Sequence, residues 1–99
     1  MEFDGFDWDG GNHGKCQKHG LAIAEIEGVF SQPVVVLPDK ENPQGEQRFR
    51  AIGTASKGRK VFVVFTLREH GDSVLIRPIS ARYMHKKEVE SYEKSYPDV

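Results

Sequence analysis

The stretch ISARYMHKKE, residues 79–88, sets Arg82, Tyr83, His85, Lys86 and Lys87 directly after an apolar run. Cations gathered in this way serve either a solvated helix face or a site for a polyanion, and forked guanidinium donors suit phosphate oxygens best. Glu88 follows His85 by three residues, the spacing at which a carboxylate folds back onto a free amide at a helix start. Beside Arg and His the same carboxylate could act as a general base. Further arginines sit at strand-like spacing. Arg48 and Arg50 share one parity, Arg68 closes the next apolar run, and Arg77 and Arg82 fall on opposite parities of the last one. An unpaired cation is costly to bury, so some of these must pair. Arg77 is expected to meet an Asp or Glu of the N-terminal half, whereas Arg82, at a strand end beside Tyr83 and His85, is expected to face phosphate.

His13, Cys16 and His19 form H-x2-C-x2-H, which raises the question of a metal. On a helix the two histidines would stand about 9 Å apart along the axis, too far for one tetrahedral ion with bonds of about 2.1 Å, and a fourth ligand is lacking. No metal and no cofactor are therefore expected. Cys16, the only cysteine, cannot form an internal disulfide and reads as a small buried thiol in a reducing compartment.

The net charge of -1 conceals an asymmetry: residues 1–47 carry nine acids against three lysines, and residues 48–88 carry ten Lys/Arg against three acids. A basic half can attract a phosphate backbone although the total is near neutral. Ninety-nine residues suffice for one small core, so residues 1–99 are read as a single domain. The absence of a long apolar run points to a soluble protein in the cytoplasm with no membrane partner.

These side chains need elements to position them. FDGFDWD (3–9) reads as a short strand with Phe6 and Trp8 on one face, and Asp9 as a cap to a weak, glycine-burdened helix over 10–18 that stops at Gly20. Leu21, Ile23, Ile26, Val29 and Phe30 recur at helical spacing over 21–30. Pro33 ends that pattern, VVVL (34–37) reads as a strand, and PDKENPQGE (38–46) as a mobile polar loop. Runs at 47–55, 59–67 and 73–81, linked by SKG and REHGD, predict antiparallel hairpins. The middle run is apolar on both parities, as for a strand covered on both faces. Pro78 places a sheet edge or a bulge in the third. Val89, Tyr92 and Tyr96 propose a terminal helix over about 85–95.

Taken in order, WDGGNHGKCQKHGLAIAEIEGVF, GEQRFRAIG, GRKVFVVFTLR and IRPISARYMHKKEVESYE resemble the hallmark segments of the BrnT family of bacterial type II toxins. The register-keeping residues are Trp8-Asp9, Lys18-His19-Gly20, Arg48 with Ile52-Gly53, Thr66-x-Arg68, Ser80-x-Arg82 and Glu88. The resemblance implies an α+β fold of RelE-like type, a curved antiparallel sheet with N-terminal helices and a C-terminal helix packed on it. It implies a ribonuclease that arrests translation, a BrnA-like ribbon-helix-helix antitoxin as partner, and contact with DNA only through the antitoxin complex.

Together with the basic half, the resemblance implies cleavage without metal, in which the 2′-hydroxyl attacks the adjacent phosphorus and leaves a 2′,3′-cyclic phosphate and a 5′-hydroxyl. Arg48, Arg68 and Arg82 are expected to hold phosphate oxygens. His19 is the first choice for proton transfer, followed by Glu88 and Lys18. Lys18, Arg50, Arg59, Tyr83, His85 and Lys86 are expected to bind RNA, with Tyr83 stacking on a splayed base. The alternative is a non-catalytic module that docks an acidic or nucleic-acid partner through the same basic strands.

Overall fold

The computed structural model describes residues 2–39, 45–55 and 58–95. In chain order the elements are β1 (Gly5–Phe6), α1 (His13–Cys16), α2 (Ile23–Val29), β2 (Val35–Pro38), β3 (Phe49–Thr54), β4 (Lys60–His70), β5 (Ser73–Tyr83) and α3 (Lys86–Ser95). The strands form one five-stranded sheet in the order β1-β5-β4-β3-β2. Strands β2 to β5 pair antiparallel, while the two residues of β1 lie parallel to Leu75 and Ile76 of β5. The arrangement is the expected α+β class, with a mixed rather than wholly antiparallel sheet.

Strand β4 is apolar on both parities because both its faces are covered. On one side Val61, Val63 and Phe65 join Ala51, Ile76 and Ala81 beneath α1 and α2, and Cys16, Ile26 and Val29 of those helices, with Leu21 from the link between them, complete a fully buried core. Burying each of the larger side chains contributes about 1.5–3 kcal/mol. Phe30 joins the core by an edge-on contact with Phe65, 5.2 Å between ring centres. On the other side Ile52, Met84 and Tyr92 form a smaller cluster with Phe62 and Val89, which seats α3 on one part of that face only. The arginines lie on this same face, half-buried beside α3 and beyond it.

Gly53 permits the close approach of α2 to the sheet: a Cβ built there would lie 2.7 Å from Val29 Cγ1 and 3.1 Å from Val34 Cγ1. Gly20, with φ of +92°, reverses the chain after α1 in the left-handed region that glycine adopts at least cost. Helix α1 itself is a single turn, shorter than the expected 10–18. Asp9 caps the turn before it, accepting the Gly11 N–H through Oδ1 (2.7 Å) while its own N–H donates to Asn12 Oδ1 (2.8 Å).

The REHGD link proves to be mostly strand, since β4 and β5 pair as far as His70 and Ser73 across Gly71-Asp72. Pro78 sits at a bulge: Val64 pairs with Ser80 and Phe65 with Pro78, which leaves Ile79 as the extra residue. The Pro78 carbonyl accepts a 2.8 Å hydrogen bond from the buried Asn12 side chain, tying the bulge to the N-terminal segment. Residues 40–44 of the polar loop, residues 56–57 of the SKG link and Tyr96 lie outside the described residues. Among the described residues, no helix is long and apolar enough to cross a membrane.

Candidate functional site

Directly opposed residues share a sheet face. Arg50 opposes Val64, Arg82 opposes Phe62 and Arg77 opposes Thr66, so the three arginines lie on one face of the sheet. Arg68, two residues beyond Thr66, shares that face, and Arg48 precedes Arg50 by the same step. Sequence parity puts Arg77 and Arg82 on opposite faces; the extra residue at Ile79 shifts the alternation and brings them together.

Among the described residues this face carries three hollows: one of about 410 Å³ lies between the sheet and α3, and the other two gather most of the arginines. The first of these two, of about 250 Å³, is lined by His19, Asp39, Arg50, Phe62, Ser80, Arg82 and Glu88, with Val64 in its floor. The Phe62 ring lies under two guanidinium groups, Arg82 at 4.6 Å and Arg50 at 5.9 Å from its centre. Such contacts favour a cation over an aromatic face and fix where the charge sits. Arg82 donates from Nη1 to Glu88 Oε1 (2.8 Å) and from Nη2 to Oε2 (2.9 Å), with a further Nη1 bond to the Tyr83 carbonyl (3.2 Å). Those bonds occupy the end of the fork. Its side edge, Nε with the second Nη2 hydrogen, keeps the two-donor geometry that a phosphate takes.

Glu88 also accepts the His85 backbone N–H at 2.8 Å, the expected capping contact at the start of α3. The Arg82 hydrogen bonds first, and the His85 amide second, hold its carboxyl down at about 2. So weak a base is ill suited to removing a proton near neutral pH. The contact instead holds Arg82 in place, and Glu88 in turn raises the Arg82 guanidinium above its ordinary range. Arg50 makes no ion pair among the described residues, and its buried Nε has no hydrogen-bond partner there.

The second hollow, of about 230 Å³, is lined by Lys15, Glu46, Arg48, Arg68, Arg77 and the Gly11-Asn12 turn beside Ile79. Arg77 pairs with Asp9 through two hydrogen bonds (3.0 and 3.1 Å) and lies 3.5 Å from Asp7, the acidic N-terminal partner expected for it. Arg68 pairs with Glu46 at 3.1 Å. The expected phosphate-holding set is thus split, with Arg82 in one hollow beside the proton-transfer candidates His19 and Glu88, and Arg48 and Arg68 in the other.

Other expected RNA contacts lie elsewhere. Tyr83 opposes Val61 on the helix-covered face, where the Arg59 guanidinium covers its ring at 3.6 Å and its hydroxyl reaches Glu25 at 3.4 Å. Lys18, His85 and Lys86 are exposed, beside His19 in the chain or at the start of α3, and line neither hollow. His13, Cys16 and His19 have different surroundings: His13 meets Trp8 edge-on, Cys16 is in the core with burial raising its thiol pKa, and His19 lines the first hollow. Sequence reasoning missed Phe62 as the floor of the site and Asn12 as the tie to the bulge. The alternation of β4 held a signal for Phe62, and nothing local held one for Asn12.

An α+β domain that spreads arginines over one sheet face and sets an imidazole in the same hollow as two of them offers the donors that a phosphodiester would need. The profile of the family described as the ribonuclease toxin, BrnT, of type II toxin-antitoxin systems matches residues 8–88, and the chain belongs to that family. Membership makes an antitoxin its partner and RNA its substrate. No individual curated protein matches the chain.

Proposed function

We propose that this chain, acting in the cytoplasm as a single BrnT-like domain, is a metal-independent endoribonuclease neutralised by a BrnA-like ribbon-helix-helix antitoxin. The observation that carries this reading is the convergence of His19, Arg50 and Arg82 on one solvent-open hollow over Phe62. The free side edge of Arg82 and the guanidinium of Arg50 hold two oxygens of the scissile phosphate. Both cations strengthen their hold as charge builds on those oxygens in the phosphorane.

His19 exchanges protons with the reacting oxygens, since an imidazole ring nitrogen can both accept and donate a proton. The 2′-hydroxyl loses its proton, its oxygen bonds to phosphorus, the P–O5′ bond breaks, and the leaving oxygen is protonated. The products are a 2′,3′-cyclic phosphate and a 5′-hydroxyl. Glu88 is a positioning residue that orients Arg82, not the base.

Induced expression in a growing culture, followed by mapping of RNA ends, tests the proposal. Growth arrest with cyclic-phosphate ends, relieved by co-expression of a ribbon-helix-helix antitoxin, is the expected result. Harmless expression with tight antitoxin binding would establish the non-catalytic module instead.

A further inference from the structure

RNA is a polyanion, and the first hollow contributes two arginines to its binding. The second hollow continues the same face. Arg48 and Arg50 are two residues apart, a step of about 6.6 Å along an extended strand, comparable with the spacing of successive phosphates in a stretched single strand. Four cations line the second hollow, Lys15, Arg48, Arg68 and Arg77. Arg77 is held by Asp9 and Asp7, and Arg68 by Glu46, so both are fixed as walls. Lys15 and Arg48 make no ion pair among the described residues.

The Nε atoms of Arg48 and Arg68 are buried and make no hydrogen bond there, which is unfavourable by about 1–3 kcal/mol for each donor. For Arg48, which has no ion pair among the described residues, stability alone gives no reason to bear that cost. We infer that this hollow is a phosphate subsite, in which Lys15 and Arg48 grip the RNA backbone next to the scissile linkage while Arg68 and Arg77 shape the cradle. The inference rests on the nuclease reading for its ligand, but the subsite takes no part in bond breaking. It sets affinity and the length of RNA engaged, and the bulge at Ile79 is what brings Arg77 into it.

The test is binding of an eight-nucleotide RNA made uncleavable by 2′-deoxy substitution, followed by fluorescence anisotropy across a salt series. Arg48→Gln and Lys15→Gln are each expected to weaken binding about 5–10-fold and to lower the slope of log K against log salt by about 0.7, one phosphate contact on a single strand. Lys15 is exposed, so its variant folds irrespective of Arg48. Wild-type affinity and slope in the folded Lys15→Gln protein would overturn the subsite. Weakened binding by the variants of a protein that cuts no RNA would leave the subsite standing and remove the nuclease reading instead.

Discussion

Replacing Glu88 by glutamine keeps the shape of the side chain and removes its charge, so it isolates what the pair with Arg82 contributes. The carboxyl is lowered from 4.5 to about 2, which at about 1.36 kcal/mol per unit sets a ceiling of roughly 3 kcal/mol. Water reduces that ceiling, since the Arg82 and Glu88 side chains remain 40% and 32% exposed. Glutamine can still accept the His85 N–H, and a loss of about 1–2 kcal/mol is expected, a fall in Tm of about 4–16 °C for a chain of this size. Because the folded pKa is depressed, the stabilisation is complete above the unfolded value of 4.5 and disappears as pH falls through about 2. Urea unfolding of both proteins between pH 7 and pH 2 measures this directly. The gap between the curves should be constant down to about pH 5 and close below it. A gap that is absent at pH 7, or that persists unchanged to pH 2, would mean that the charge on Glu88 does not stabilise the fold through Arg82.

Gly53→Ala should destabilise the fold by about 1–3 kcal/mol through its 2.7 Å contact with Val29, seen as a lower midpoint in urea. Arg82→Lys should lose cleavage nearly as fully as Arg82→Ala, since a point charge cannot serve Glu88 and a phosphate with one rigid fork; near-wild-type turnover by the lysine variant would contradict that geometry. The pH profile of kcat/KM should show no acid limb from Glu88 above about pH 3, because its carboxyl is held at about 2. A limb at pH 4–5 that vanishes in Glu88→Gln would restore Glu88 as the base.

Periodicity and turn chemistry carried most of the fold. The spacing of Leu21, Ile26 and Val29 matches the buried side of α2 and the residues leading into it, and Pro78 marks its bulge because proline cannot join the ladder there. The contact of Arg77 with an N-terminal acid and the return of Glu88 onto the His85 amide also follow from charge and spacing. The grouping of the arginines was not legible. One unpaired residue, Ile79, moves Arg82 relative to Arg77 from one face to the other, and no local pattern reveals which residue of a bulged strand is left out. Tyr83 lies beside Arg82 in the chain yet faces the opposite way, and the guanidinium that covers its ring comes from Arg59. The parallel pairing of β1 depends on a contact between residues some seventy positions apart, beyond the reach of any local signal.

Cleavage as proposed requires His19, Arg50 and Arg82 to act together in one hollow. Single-turnover cleavage of a defined RNA in the presence of a chelator, with the ends identified, addresses it most directly. Cyclic-phosphate ends are expected from the wild type, and a rate at least about 100-fold lower for His19→Gln and for Arg82→Ala, each folded as judged by thermal unfolding. Undiminished cleavage by either variant would contradict it.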